Sequence, residues 1–409
     1  MDPAENPPLR LSESLAAIPG RRWWTWVFLA ALLVRLLWLA AWQAGGFTER
    51  FGRDPYVEIA EYWLGWGPRS LDIAHPPLFP LWIAALFSLL RHPSLMAVQA
   101  VNALLGCATC LMIGLWAERA ASSKPIGRLA GLWAAFDPLL VFFAVQAQSE
   151  PFFLFLELAF FLALLRAANP PSAAAAFGLG AAGGLLCLTR SAFAFFAPFL
   201  FASLFWPSRR ERRAWLWLLL FAGWALGPAL WGLRNMARHG AFVPLAANGG
   251  WNLWEGFTLD REEVRRRPYE MAAEAARAGI DPADPVASGG YFSRKTKAFI
   301  LSHPRQAAGI VAGKFLLYWR PWPYDPHDAR ARAAITAYFC VLFALAAAGA
   351  LSLGRIPAVW PAFALIAYLS LLHSVFFTSL RYRSPLEPFL CVFGAAGALR
   401  LWEKFVEKA

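Results

Sequence analysis

Five charged residues lie where long apolar runs of the sequence begin or end. Asp54 follows the first apolar run in FGRDPYVEIAEYWLGWG, and Glu150 separates two apolar runs in AQSEPFFLF. Arg190 interrupts an apolar stretch in LTRSAF, and Arg381 and Arg383 lie close together in RYRSPLEPF. A carboxylate can take a proton from a hydroxyl group, and arginine binds phosphate oxygens through two parallel hydrogen bonds. If these side chains meet, they could activate an acceptor hydroxyl and stabilise an anionic leaving group.

Each of these residues also has a purely structural interpretation. Asp54 precedes Pro55 and Glu150 precedes Pro151, and an acid before a first-turn proline is typical of a helix N-terminus. Arginines at a membrane boundary often anchor a helix by snorkelling. His75, in the rigid segment HPPLFP, is compatible with an interfacial polar residue at a helix entry. Ionisable groups at membrane depth are costly, however, which favours a functional interpretation of the set.

The elements that must position these residues are membrane helices. The chain has 409 residues, 59% of them hydrophobic, and apolar runs recur along its whole length. A helix of about 20 apolar residues crosses a bilayer core of about 30 Å. We therefore predict an all-α polytopic membrane protein with about 10–12 transmembrane helices and amphipathic juxtamembrane helices in the first external loop. The predicted spans are 23–43, 95–117, 126–146, 150–168, 173–189, 191–206, 214–234, 333–353, 357–378 and 386–402.

The basic loops predict the orientation of these spans. If the short apolar segment 77–90 does not cross, the basic loops, the densest of which is 207–213, face the cytoplasm. We therefore place 77–90 at the outer interface. The segment 306–319 is equally short, and the sequence leaves open whether it crosses. The residues after Asp54 predict an amphipathic helix, one face of which is formed by Tyr56, Ile59, Trp63 and Trp66.

This orientation divides the chain into four parts. A cytoplasmic tail, 1–22, precedes a seven-span catalytic module, 23–234, whose first external loop covers 44–94. An external loop with short helices, 235–332, follows. The C-terminal transmembrane helices and a short tail occupy 333–409.

Composition and motifs argue against several other classes. The net charge of +12 lies mostly in short loops beside the predicted spans, so it does not indicate a nucleic-acid partner. The sequence has no Walker A loop, no G-x-G-x-x-G after a strand and no D-x-D motif, which argues against a cytoplasmic nucleotide-sugar donor. It also shows no cluster with metal-ligand spacing.

The order and spacing of several short motifs resemble a known family. They are Asp54 with its aromatic helix, HPPLFP (75–80), QAVNALLG (99–106), QSEPFF (148–153), TRSAF (189–193), LRNMARHGAFVPLAANGGWNLWEG (233–256), Lys314 with WRPWP (319–323), and RYRSPLEPFL (381–390). The pattern is similar to the lipid-carrier-dependent glycosyltransferases of the C superfamily, the group around the protein O-mannosyltransferases and the lipid A aminoarabinose transferase.

The resemblance implies a membrane enzyme that transfers a sugar from a polyprenyl-phosphate carrier to an acceptor hydroxyl on the external face, with inversion. Asp54 matches the family's general base, and Glu150 would assist or orient the acceptor. The carrier phosphate would be bound by His75, Arg190, Arg381 and Arg383. The acceptor cavity would be lined by Tyr56, Asn248, Trp251 and Asn252.

The resemblance also implies partners and a location. The partners would be a polyprenyl-phosphate-linked sugar, membrane lipids, and a lipid, glycan or protein acceptor, without nucleic acid. The carrier would be undecaprenyl phosphate in a bacterial inner membrane, with the active site facing the periplasm. No cofactor follows from the sequence, and a divalent metal is left open because relatives differ. Arg53 replaces the first of two adjacent acids that the mannosyltransferases often carry, and their inserted carbohydrate-binding domain is absent.

Two other functions are compatible with the same features. A ligase-type transferase would move a preassembled glycan from a pyrophosphate carrier and would use arginine and histidine in the long external loop, where Arg238, His239, His303 and Arg305 are available. A transporter or flippase of isoprenoid-linked substrates would be expected to show internal repeats and charged residues near the bilayer midplane. The sequence shows no repeat, and its polar candidates are predicted at one membrane face.

Overall fold

The computed structural model describes residues 11–47, 55–67, 72–167, 172–205, 214–323 and 329–406, and the regular elements of these residues are all helical. The α-helices are α1 (Leu11–Ala17), α2 (Gly20–Ala44), α3 (Pro55–Trp63), α4 (Leu78–Leu90), α5 (Leu95–Ala120), α6 (Lys124–Phe136), α7 (Pro138–Ala144), α8 (Glu150–Ala167), α9 (Ala173–Thr189), α10 (Phe196–Phe205), α11 (Ala214–His239), α12 (Gly249–Glu255), α13 (Arg261–Arg277), α14 (Pro285–Ser302), α15 (Pro304–Tyr318), α16 (Ala329–Leu353), α17 (Trp360–Val375), α18 (Leu380–Arg383) and α19 (Glu387–Val406). Short 3₁₀ helices lie at Ser191–Phe193, Pro357–Val359 and Ser384–Leu386. The all-α prediction is confirmed.

Five helices in the described ranges are long and apolar enough to cross a membrane. They are α2, α5, most of α11, α16, and the segment Pro357–Val375 that contains α17. The bent pair α6 and α7 makes a sixth if it is one span, and α4 and α9 are shorter apolar helices. Each of the ten predicted spans coincides with a helix or with two successive helical segments. The chain is a multi-pass membrane protein.

One predicted span is broken rather than continuous. The segment 126–146 divides into α6 and α7, which meet at an angle of 55°. Asp137 begins α7 as an N-cap, and its carboxylate accepts hydrogen bonds from the backbone N–H groups of Leu139 and Leu140 at 3.0 and 2.9 Å. Pro138 cannot donate to the α6 ladder, so the helix ends there. Arg35 of α2 donates to the freed carbonyl of Ala135 at 3.2 Å.

Helices of the bundle approach one another closely where glycine faces a backbone. A Cβ atom at Gly180 of α9 would lie 2.0 Å from the Leu220 carbonyl oxygen of α11. At Gly397 of α19 it would lie 2.0 Å from the Leu345 carbonyl oxygen of α16. Small residues at such contacts let membrane helices pack backbone to backbone. The contact between α9 and α11 fixes the position of the C-terminal end of α9, which Arg190 follows directly.

The C-terminal helix α19 lies in the centre of the bundle. Phe389 contacts Trp116 of α5 and Phe161 of α8, with ring centroids 5.1 and 4.6 Å apart. Phe393 stacks on Phe363 of α17 at 4.8 Å. The C-terminal helices therefore share one core with the helices that precede them.

The helix after Asp54 buries a different face from the predicted one. In α3 the buried residues are Val57, Ile59, Ala60 and Glu61. Val57 and Ala60 pack with α4 in a small apolar cluster that includes Phe79 and Phe87. Trp66 lies beyond the end of α3 and is exposed. Because α4 covers α3, tertiary packing selects its small and β-branched side chains rather than its large aromatic ones.

Candidate active site

Glu150, Arg190 and Arg381 meet at one end of the bundle and are called here the outer charge cluster. Glu150 is the first residue of α8 and is fully buried. Arg190 Nη1 lies 3.1 Å from Glu150 Oε1, and Arg381 donates to the same oxygen through Nε and lies 3.4 Å from Oε2 through Nη2. Two guanidinium groups thus share one carboxylate, which leaves an excess of one positive charge.

Local backbone structure explains how the two arginines reach Glu150. Arg190 follows α9 in an extended conformation, with φ −143° and ψ 113°, before the 3₁₀ helix Ser191–Phe193. Arg381 lies in the first turn of α18, where the Ser379 hydroxyl accepts a hydrogen bond from its backbone N–H at 3.3 Å. Both arginines therefore extend from helix ends, where a side chain can turn toward a neighbouring element.

Aromatic rings surround the outer charge cluster. The guanidinium carbon of Arg190 lies 5.6 Å from the ring centroids of both Phe153 and Tyr382. Cation–π contacts of this kind hold a guanidinium group in place without neutralising its charge. The rings therefore restrict Arg190 while preserving the positive charge of the cluster.

His75, three residues before α4, and Tyr56 of α3 lie next to this cluster. Their rings make an edge contact with centroids 5.2 Å apart, and Tyr56 also contacts Phe79 at 5.4 Å. Burial, and then the positive charge of Arg381, lower the pKa of His75 to about 4. His75 is therefore a neutral imidazole at physiological pH, able to donate or accept a hydrogen bond but not to act as a cation.

The predicted base, Asp54, lies outside the described residues. The described chain resumes at Pro55, the first residue of α3. The roles predicted for Asp54, helix N-cap and general base, both stay predictions.

Arg383 lies in a different environment from Arg381. It has no exposed surface, and its Nε donates to Glu387 Oε1 at 2.9 Å while Nη1 donates to the Arg320 carbonyl at 2.7 Å. Its guanidinium carbon lies 4.4 Å from the centroid of the Phe339 ring. The structure therefore separates the two arginines that the sequence grouped as phosphate-binding residues.

The predicted cavity residues of the long external loop lie in and before α12. Trp251 contacts Phe292 of α14 at 5.2 Å and packs with Met271 of α13 in the small core of that loop. The Asn248 carbonyl accepts a hydrogen bond from the backbone N–H of Asn252 at 3.0 Å. Their contact with an acceptor stays a prediction.

Asp72 is a buried acid that the sequence reasoning missed. Its carboxylate accepts hydrogen bonds from Arg234 at 2.5 Å and from Trp63 at 3.1 Å, and His239 Nε2 lies 3.0 Å from it. Burial would raise the pKa of Asp72, but the hydrogen bonds from Arg234 and Trp63 and the Arg234 charge lower it below its usual value. Asp72 thus ties the first external loop to the end of α11. Its position three residues before His75 was the available signal.

Glu157 is a second missed acid, two helical turns after Glu150 in α8. It is fully buried, and neither carboxylate oxygen has a hydrogen-bond partner in the described part of the chain. In the same residues, no group of three or more histidine, cysteine, aspartate and glutamate side chains could hold a metal ion.

Comparison with known proteins gives one family match. The profile of the dolichyl-phosphate-mannose-protein mannosyltransferase family matches residues 74–231, which is less than half of the chain. This segment includes His75, Glu150 and Arg190. A search of curated protein sequences found no match.

Solved structures of an archaeal oligosaccharyltransferase share the architecture. The apo form of the Archaeoglobus fulgidus enzyme matches with a TM-score of 0.56 and 14% identity, covering 94% of this chain and 51% of that one. The form of that enzyme, AglB, in complex with an inhibitory peptide and a dolichol-phosphate matches with a TM-score of 0.52 and 14% identity, again over 94% and 51%. The chain spans about half the length of these structures. The predicted resemblance is confirmed, and the chain shares the membrane fold of this archaeal oligosaccharyltransferase.

Proposed function

We propose that this protein is a membrane glycosyltransferase that moves a sugar from a polyprenyl-phosphate carrier to an acceptor hydroxyl, with inversion at the anomeric carbon. The family match and the shared fold support a glycosyltransferase. The dolichol-phosphate in the complex of the archaeal enzyme supports a lipid carrier.

The observation that carries the proposal is the charge balance of the outer charge cluster. Within this cluster two arginines face one carboxylate, so Glu150 alone does not neutralise both guanidinium groups. A polyprenyl-phosphate sugar is a phosphodiester with one negative charge, which matches this excess. Arginine also presents the planar donors that bind phosphate oxygens in pairs. The apolar helices below the cluster provide an environment for the prenyl tail.

In the proposed reaction the acceptor oxygen attacks the anomeric carbon and forms the new glycosidic bond. The bond between that carbon and the phosphate oxygen breaks, and polyprenyl phosphate leaves with the bonding electrons. Asp54 takes the proton of the acceptor hydroxyl. Arg190 and Arg381 stabilise the charge that grows on the phosphate, and neutral His75 adds a hydrogen bond. Glu150 would fix the two arginines, which differs from the role predicted from the resemblance, that of assisting or orienting the acceptor.

The proposed location is the inner membrane, with the cluster on the external side. The dense basic loop 207–213 would then face the cytoplasm, as the positive-inside rule requires. The donor would be an undecaprenyl-phosphate sugar in a bacterium, and the acceptor a lipid, glycan or protein.

The first experiment compares wild type with Asp54→Asn in nanodiscs, using radiolabelled polyprenyl-phosphate sugars and a membrane extract as acceptor source. We expect wild type to label a product, and Asp54→Asn to be about 10²-fold to 10⁴-fold slower, which is the usual contribution of a general base. Glu58→Gln is the matched control, because Glu58 is an exposed acid one turn into the same helix. Equal transfer by Asp54→Asn and wild type would leave Asp54 as a helix cap.

A second candidate function is transfer of a preassembled glycan from a pyrophosphate carrier. The fold shared with an oligosaccharyltransferase favours it. A pyrophosphate diester carries one more negative charge than a phosphodiester, so the outer charge cluster would neutralise this donor less fully. The same assay with a pyrophosphate-linked glycan separates the two functions, since labelled product from that donor alone would replace the leading proposal.

A further inference from the structure

Lys314 of α15 is a buried lysine that joins two distant segments. Only 1% of its surface is exposed. Its ammonium group donates to the Gly256 carbonyl at 2.6 Å and to the Val375 carbonyl at 3.0 Å. Gly256 follows α12 in the long external loop, and Val375 is the last residue of α17. One side chain thus connects the external loop to the C-terminal helices.

The two segments joined by Lys314 also touch directly. A Cβ atom at Gly256 would lie 2.7 Å from Phe377 Cα, so only glycine allows this approach. Phe257 is buried, and its ring centroid lies 5.8 Å from Lys314 Nζ. A buried N–H donor at the C-terminus of α17 is favourable, because the last carbonyls of a helix lack intrahelical partners. The ammonium group therefore acts as a clamp on a close backbone contact.

A stack of three rings leads from this clamp to the outer charge cluster. His373 lies between Tyr318 and Tyr382, with ring centroids 5.5 and 4.8 Å apart. Tyr318 lies one turn after Lys314, and its hydroxyl donates a hydrogen bond to the Tyr382 carbonyl at 3.1 Å. His373 Nδ1 lies 3.0 Å from the Phe377 carbonyl. The Tyr382 ring in turn lies 5.6 Å from the Arg190 guanidinium carbon.

We propose that Lys314 is a positioning residue for the arginines of the outer charge cluster. Lys314 holds Gly256 against Val375 and so fixes the end of α17. The stack of Tyr318, His373 and Tyr382 packs against this end and thereby restricts the positions of the two arginines. The proposal rests on the proposed function for the identity of the ligand, a prenyl phosphate, but not for the clamp. According to this proposal, the external loop helps to hold the residues that bind the phosphate in place.

The test compares Lys314→Met with Lys314→Gln in the full chain in nanodiscs, since these side chains have similar length and only glutamine keeps donors. We would measure hydrogen exchange of 249–257, 375–379 and 380–383, and binding of farnesyl phosphate. Lys314→Met is expected to exchange faster in all three segments and to bind about 10-fold to 100-fold more weakly, as displaced binding groups do. Lys314→Gln is expected to recover part of both.

Lys295→Met is the control within the external loop. Lys295 pairs with Glu274 at 2.5 Å and lies over the Trp254 ring at 4.5 Å. We expect Lys295→Met to change hydrogen exchange in the external loop but not in residues 375–383. A Lys314→Met protein that loosens 249–257 but leaves 380–383 and farnesyl phosphate binding unchanged would make Lys314 purely structural and overturn the proposal.

Tyr318→Phe covers the case in which Lys314→Met does not fold. It keeps the ring stack and removes only the hydrogen bond to the Tyr382 carbonyl, so faster exchange at 380–383 with weaker binding supports the proposal, and no change in either overturns it. If wild type does not bind farnesyl phosphate, the proposed function fails, and exchange at 380–383 still decides whether the clamp reaches the arginines.

Discussion

Arg381 and Arg383 are two residues apart, yet they belong to clusters of opposite character. Arg381 is in the outer charge cluster, where two cations share one acid and the Arg381 side chain is 31% exposed. Arg383 belongs to what we call the inner charge cluster, formed by Arg383, Glu387, Asp137 and Tyr338. There Arg383 and Glu387 pair one to one, and neither side chain is exposed.

Hydrogen bonds satisfy part of the inner charge cluster, while Arg383 Nη2 and Glu387 Oε2 have no hydrogen-bond partner in the described residues. The Tyr338 hydroxyl donates to Asp137 Oδ2 at 2.7 Å and accepts from Trp133 Nε1 at 2.8 Å. Asp137 Oδ1 caps α7 at the break of the span. These hydrogen bonds join α6, α7 and α16 inside an apolar core.

The difference teaches how charged clusters in a membrane protein divide their roles. The ion pair of Arg383 and Glu387 has no exposed surface from which to bind a ligand, and removing one partner leaves the other with an uncompensated desolvation cost. A partly accessible cluster with an excess cation can bind an anion at the membrane surface. We therefore expect the inner cluster to govern stability and the outer cluster to govern binding and transfer.

The largest expected effect is on stability, from Arg383→Met. It leaves Glu387 buried without its ion-pair partner, which typically costs about 3–5 kcal/mol. The double variant Arg383→Met with Glu387→Met should recover most of this loss, because an apolar pair avoids the desolvation penalty. Denaturant unfolding in detergent micelles checks both. An unchanged midpoint for Arg383→Met would show that the pair does not support the core.

The next largest effect is expected on binding and transfer, from Arg381→Gln. This variant removes the excess positive charge, and we expect farnesyl phosphate affinity and the transfer rate to fall about 10²-fold, as for loss of a transition-state donor. Stability should change little because the side chain is partly exposed. Arg166→Gln is the control, since Arg166 is an exposed arginine in the last turn of α8. Loss of stability without loss of affinity would place Arg381 with the inner cluster.

The sequence contained enough information to predict the helices and three members of the outer charge cluster. Apolar runs marked each span, and the orientation argument predicted Glu150, Arg190 and Arg381 at one membrane face, where the structure brings them together. The pattern Asp137-Pro138 in an apolar run signalled the break of the span, but its length favoured a continuous helix. Tertiary packing of α4 decided the buried face of α3, which helical periodicity alone could not show.

The separation of Arg381 from Arg383 was also readable in principle. Residues i and i+2 of a helical turn point to different sides, and Arg383 and Glu387 have the i, i+4 spacing of an ion pair. Asp72 was not predictable in the same way, because its main partner, Arg234, lies 162 residues later in the chain. Such a pair depends on the packing of the loop against α11, which no local pattern specifies.

A smaller effect on farnesyl phosphate affinity, in the opposite direction, is expected from Glu150→Gln. The substitution removes the carboxylate that bridges Arg190 and Arg381 in the described residues, so the attraction of the two arginines for an anion increases. We expect farnesyl phosphate to bind about 3-fold to 10-fold more tightly at low salt, and transfer to slow because the product phosphate is released more slowly. Weaker binding would mean that the ordering of the two arginines by Glu150 outweighs its partial neutralisation of their charge. Titrations at two salt concentrations distinguish these outcomes.

The smallest expected effect is on the pH dependence of stability and concerns His75, which lies next to the outer charge cluster. Its pKa is lowered to about 4 in the folded state, from an ordinary value of 6.5, by burial and by Arg381. Between pH 6.5 and pH 4 the unfolded chain therefore binds a proton that the folded chain does not, so His75 destabilises the fold as the pH falls through this window. The His75 ring makes an edge contact with Tyr56, and the charge that acts on it is that of Arg381. Melting temperatures of wild type and His75→Gln from pH 7.5 to pH 4 should diverge on the acid side, with wild type falling faster. Parallel melting curves would mean that His75 has an ordinary pKa in the folded state. Protonation of His75 near pH 6.5 would then add a second cation beside the outer charge cluster. The charge of the cluster would no longer match that of a singly charged phosphodiester.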